Sequence, residues 1–89
     1  MRFVIVTGMS GAGRSSVMKM LEDIGYFCVD NLPVRLIPKL TKIALEESAS
    51  IDRAAIGIDI RNLQGLSEFG GILEEMKENG YRYEIIFLE

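Results

Sequence analysis

Gly8, Gly13, Arg14 and Ser15 stand at the spacing of a segment that holds phosphate. The run Gly8-Met9-Ser10-Gly11-Ala12-Gly13-Arg14-Ser15 fits the pattern GxxxxGK[ST] at every fixed position but one, where arginine replaces lysine. Glycines let the main chain curl so that successive N–H groups face anion oxygens, and a helix starting there aims its positive end at the same point. Gly8, Met9, Ser10, Gly11, Ala12, Gly13, Arg14 and Ser15 are therefore the candidate nucleotide-binding loop. Ser15 offers a hydroxyl to the Mg²⁺ that accompanies such a nucleotide. Arg14 keeps the positive charge of the usual lysine in a planar, bidentate form, which makes it the candidate catalytic residue and changes the geometry at the phosphates.

A phosphate loop of this kind works with an acid at the end of a buried strand. Asp59, after Ala54-Ala55-Ile56-Gly57-Ile58, is the candidate metal ligand beside Ser15, with Asp30 and Glu89 as alternatives at other strand ends. Each could equally cap a helix or open a turn. Asp59, Ile60, Arg61 and Asn62 put an acid, a base and an amide in one short loop that could contact a base, a ribose or a phosphate. The alternative is a polar connector in which Asn62 caps the next helix. The chain has no histidine, which excludes Ser-His and Cys-His nucleophiles. Its one cysteine, Cys28, excludes an intrachain disulfide and a cysteine-cluster metal site, and fits a reducing compartment.

The elements that must position these groups follow from hydrophobic period. Phe3 to Thr7 is a short continuous apolar run, the pattern of a parallel strand covered on both faces. Arg14 to Ile24 has Val17, Met20, Leu21 and Ile24 at helical spacing, and Gly25 stops it. Tyr26 to Val29 is a second strand, broken by Asp30-Asn31-Leu32-Pro33. Val34 to Glu47 predicts a second helix that tolerates Pro38 near its first turn, and a polar turn at 48–52 leads into a third strand, Ala54 to Ile58. Gln64 to Asn79 predicts a third helix weakened by Gly70 and Gly71 and closed by Gly80, and Tyr83 to Leu88 a fourth strand. Cys28, Phe27 and the methionines read as core.

Alternating strands and helices specify an α/β fold of the P-loop NTPase type, a parallel sheet with flanking helices joined by right-handed crossovers. The fourth strand has no helix after it, so residues 1–89 are expected to be the N-terminal portion of a nucleotide-binding domain, truncated after about four strands, with a C-terminal part absent. At 89 residues, 48% hydrophobic and 26% charged, the composition is that of a soluble globular domain. A formal charge of -3 argues against a broad nucleic-acid footprint. The apolar run at Phe3 is far too short for a signal core or a membrane span, so a cytoplasmic protein with no membrane partner is expected.

Three stretches taken together, Gly8 to Ser15, Gly25-Tyr26-Phe27-Cys28-Val29-Asp30-Asn31-Leu32-Pro33 and Gly57-Ile58-Asp59-Ile60-Arg61-Asn62, resemble the bacterial RapZ-like nucleotide-binding proteins. The resemblance implies an ATP- and GTP-binding protein that hydrolyses nucleotide with Mg²⁺, some of whose relatives act as RNase adapters for a small regulatory RNA. It places ATP on Gly8 to Ser15 and GTP on Asp59 to Asn62, and puts any contact with small RNA and ribonuclease in the missing C-terminal domain. Arginine at position 14 lies within the family's range. A small-molecule kinase of the nucleoside or shikimate type is the competing function, because it shares the same strand, loop and helix. A binding module in which nucleotide only stabilises the fold is a third.

Overall fold

The structure, a computed structural model, describes residues 2–8, 11–47 and 51–88, with side chains at all of these except 11 and 12. The strand β1 (Arg2–Gly8) leads into α1 (Gly11–Asp23), β2 (Phe27–Val29), a single 3-10 turn (Val34–Leu36), α2 (Ile37–Glu46), β3 (Arg53–Gly57), α3 (Leu63–Glu78) and β4 (Arg82–Leu88). The four strands form one parallel sheet in the order β2-β3-β1-β4. This is the α/β architecture that the alternation of periods predicts.

Strand order and the handedness of crossovers together decide where the helices lie. The chain steps one way from β1 to β2, then the opposite way from β2 to β3 and from β3 to β4. A right-handed crossover therefore puts α1 on one face and α2 with α3 on the other. The core divides accordingly. Phe3, Ile5, Ala54, Ile56 and Ile58 are buried with Ile37, Ala44, Phe69 and Met76 of α2 and α3. Val4, Val6 and Ala55 are buried with Met18 of α1. β1 is thus covered on both faces, which is why its sequence is continuously apolar rather than alternating.

Helices α1 and α3 end alike. The Gly25 N–H donates to the Glu22 carbonyl and the Tyr26 N–H to the Leu21 carbonyl, both at 3.0 Å. At the other end Gly80 donates to Lys77 at 3.0 Å and Tyr81 to Met76 at 2.9 Å. Both are Schellman motifs, with the glycine at positive φ (102° and 76°), and each turns the chain straight into the next strand.

Two sequence expectations are corrected. The helix expected from Val34 divides into the 3-10 turn and α2, because Pro38 has no N–H to return to the Val34 carbonyl. The Ile37 N–H takes that acceptor instead. Phe27 and Met20 are 46% and 66% exposed rather than core, whereas Met18 and Met76 are buried and Cys28 is half-buried. Phe27 lies on β2, an edge strand of three residues with a neighbour on one side only, so part of its ring is left uncovered. No helix among the described residues is long and apolar enough to cross a membrane.

Candidate phosphate-binding site

β1 sends its chain to one face of the sheet and the adjacent β3 sends its chain to the other. The crevice outside their carboxyl ends is the switch point where ligands bind in doubly wound sheets. A cleft of about 1070 Å³ opens there, lined by Thr7 and Gly8 from β1, Arg14 from α1, Asp30 and Asn31 after β2, Asp59 to Asn62 after β3, and Leu63, Leu66 and Phe87. Gly8, Arg14, Asp59, Ile60, Arg61 and Asn62, distant in sequence, thus share one wall system. Ser15 is exposed on α1 one residue beyond Arg14 and is not among the lining residues. Gly11, Ala12 and Gly13 form the opening turn of α1, so the helix begins three residues earlier than its apolar period indicates. Met9, Ser10 and Glu89 lie outside the described residues.

Arg14 is buried at the floor of the cleft and bonded through two of its nitrogens. It is 9% exposed, and its Nε donates to Asp30 Oδ1 at 2.9 Å while Nη1 donates to the Ile58 carbonyl oxygen at 3.2 Å. One planar guanidinium thereby ties α1 to the ends of β2 and β3 through two nitrogens of a rigid fork, where a lysine ammonium would have all its donors at one point. Asp30, an alternative metal ligand on sequence grounds, is committed to this ion pair, and its Oδ1 also accepts the Asn31 N–H at 2.8 Å. Asn31 takes up positive φ (55°), which asparagine tolerates better than most residues, and the next N–H, of Leu32, donates to the Gly57 carbonyl at 2.8 Å.

Asp59 follows Ile58, whose N–H continues the ladder to the Val6 carbonyl at 2.9 Å, so this acid sits where the sheet ends beside β1. Its Oδ2 accepts from Arg61 Nε at 2.8 Å, with the Asp59 side chain 27% exposed and that of Arg61 83%. Asn62 caps α3, its Oδ1 accepting the Gly65 N–H at 2.7 Å. The capping alternative therefore holds for that side chain's oxygen. Behind the loop, Arg35 of the 3-10 turn pairs with Glu68 of α3 at 3.0 Å. Its hydrogen bond and charge hold the Glu68 carboxyl below the ordinary glutamate range. Cys28 lies below the cleft, its Sγ 3.5 Å from the Met18 carbonyl. Burial, then the charges of Glu22 and Asp30, push its thiol up, which lowers its reactivity as a thiolate.

Sequence reasoning missed Thr7, Asn31, Leu63, Leu66 and Phe87 as cleft residues. Leu63 and Phe87 are 84% and 63% exposed, so the cleft has an apolar flank beside its charged floor. The signal for Phe87 was its place one residue before the end of β4, opposite Thr7 in register.

A parallel sheet whose first strand passes through glycines into a helix, with the cleft at its switch point, defines an α/β domain of the P-loop class. The whole chain, residues 1–89, matches the RapZ-like N-terminal domain, and the protein belongs to that family. It is 64% identical over its full length to a protein of Lachnoclostridium phytofermentans, 56% to one of Ruminiclostridium cellulolyticum and 48% to one of Agathobacter rectalis, each named a nucleotide-binding protein. The chain spans 31% of the length of each of these relatives.

Proposed function

We propose that this domain binds a nucleoside triphosphate, with the phosphates on the loop Gly8 to Ser15 and the nucleoside towards Asp59, Ile60, Arg61 and Asn62. The observation that carries the proposal is the meeting of Gly8, Arg14 and Asp59 in one switch-point cleft. The names of the relatives support it, and the exposed apolar flank at Leu63, Leu66 and Phe87 gives a base a surface to lie against.

The donor chemistry suits Mg²⁺. Ser15 and Asp59 offer hard oxygen ligands, and no group of three or more acidic, histidine or cysteine side chains able to hold a metal occurs among the described residues. Mg²⁺ in such sites is held by one or two protein oxygens together with substrate phosphates; of these two, Asp59 lines the cleft and Ser15 lies one residue beyond the lining Arg14. When bound, the ion supplies charge neutralisation at the phosphate oxygens. The residues of this chain then orient the phosphates: main-chain N–H groups at the start of α1 receive the anion, and Arg14 adds a fixed positive charge at the floor.

For the whole protein we propose ATP and GTP hydrolysis in the cytoplasm and a regulatory role as an adapter between a small RNA and a ribonuclease. The RNA contacts would lie outside this acidic domain. This part of the proposal rests on the family. Thermal unfolding of the full chain with Mg²⁺ and ATP, GTP or AMP tests the nucleotide assignment. The triphosphates should raise the melting temperature well above AMP at equal concentration. No shift with millimolar triphosphate would overturn it.

A further inference from the structure

We infer that Asp30 is a positioning residue for phosphate binding, acting through Arg14. The inference rests on the nucleotide-binding proposal and deepens it. Four features converge on the Asp30 carboxylate. It receives Arg14 Nε at 2.9 Å and the Asn31 N–H at 2.8 Å on the same oxygen. Gly57 leaves the space it fills, since a Cβ there would overlap Asp30 Oδ1. The Leu32 N–H, bonded to the Gly57 carbonyl at 2.8 Å, fixes the backbone that carries it. The Ile58 carbonyl holds the other arm of Arg14 at 3.2 Å.

An arginine so anchored cannot sample the rotamers that an unpaired one would, and its charge is presented to the cleft from one place. Asp30 cancels part of that charge, so its contribution to anion binding is geometric. Removing it would leave Arg14 with the same charge, held only loosely through the Ile58 carbonyl, and a buried guanidinium with one partner fewer. The guanidinium of Arg61, 83% exposed and paired with Asp59 of its own loop, is held less firmly.

The test is a double-mutant cycle in the full chain, using Asp30→Ala, Asp30→Asn, Arg14→Ala and the combination Asp30→Ala with Arg14→Ala. Binding of fluorescent ATP, ADP and AMP analogues with Mg²⁺ is titrated, and folding of each variant is checked by circular dichroism. Asp30→Ala should weaken ATP by up to roughly tenfold, the cost of immobilising a loosened arginine on binding, with a much smaller change for AMP. Asp30→Asn, which preserves shape and an acceptor oxygen, should fall between. In the Arg14→Ala background Asp30→Ala should have no further effect. Equal losses for ATP and AMP, or losses that add to those of Arg14→Ala, would mean a merely structural Asp30 and overturn the inference alone. No binding by the unsubstituted protein would overturn the nucleotide proposal, and the inference with it.

Discussion

The Asp30 carboxylate occupies the space that a Cβ on Gly57 would take, with Asp30 Cα only 3.3 Å from that same point. Gly57 is at an ordinary φ, so its lack of a side chain serves close approach rather than backbone freedom. Gly57→Ala must push both the carboxylate and the backbone after β2 away from β3. The expected cost is about 1–3 kcal/mol, the usual range for inserting a methyl into a filled site. Urea denaturation measures it, and Gly70→Ala is the control. Nothing lies within 4 Å of a Cβ at Gly70, in the middle of α3, so that substitution should leave stability unchanged or raise it.

Arg14→Lys separates charge from anchorage. A lysine ammonium has its three donors on one nitrogen and lacks the two separated nitrogens with which the guanidinium reaches Asp30 and the Ile58 carbonyl, at 2.9 and 3.2 Å. The variant should lose about 1 kcal/mol of stability with one buried hydrogen bond unmade. Without the guanidinium's rigid fork, the ammonium presents its charge to the phosphates from a less fixed place. Triphosphate affinity should therefore fall, though by no more than in Asp30→Ala, and Asp30→Ala should cost less in this background than in the unsubstituted protein. Calorimetric titration of both backgrounds checks this.

The elements were legible because each carries a local cause: a β-branched run in β1, a short apolar run in β3, a 3.6-residue period in the helices, and Gly25 and Gly80 where α1 and α3 stop. The sheet order was not, because β2-β3-β1-β4 depends on pairings between strands far apart in sequence. The same limit explains the site. The loop Gly8 to Ser15 and the segment Asp59 to Asn62 show as motifs, and Gly8 and Arg14 of the first border the cleft with all four residues of the second. The commitment of Arg14 to Asp30 could not be read from either motif, since it needs β2 at the far side of β3. Nor could the exposure of Phe27, which follows from β2 being a short edge.

The Arg35 to Glu68 pair fixes the 3-10 turn against α3 and should leave a mark on acid stability. Its hydrogen bond and charge lower the Glu68 pKa in the folded state. A depressed carboxylate contributes stability that is present above its unfolded pKa and is lost as pH falls through the lower, folded value. Glu68→Gln should therefore reduce stability slightly at neutral pH and flatten the decline below the ordinary glutamate range. Melting temperatures of both proteins should converge as the pH is lowered. Both partners sit at the surface, so added salt should shrink the difference.

Arg61 and Asp59 make the opposite case to Arg14 and Asp30. Their 2.8 Å pair is open to water on the arginine side, where such contacts contribute between nothing and about 1 kcal/mol. Arg61→Ala should therefore change stability little. Its effect should appear at the metal. With Arg61 in place one oxygen of Asp59 is already taken, so any cation bound there competes with a guanidinium. Removing the guanidinium should lower the Mg²⁺ concentration needed for half-maximal triphosphate binding by a few-fold, whereas Asp59→Asn should raise it. Titrating Mg²⁺ at fixed ATP analogue reads both shifts. If Arg61→Ala instead leaves the Mg²⁺ requirement unchanged while Asp59→Asn raises it, Asp59 binds the cation through its other oxygen and Arg61 is only a surface partner. If neither substitution moves it, the acid that serves the metal is not Asp59.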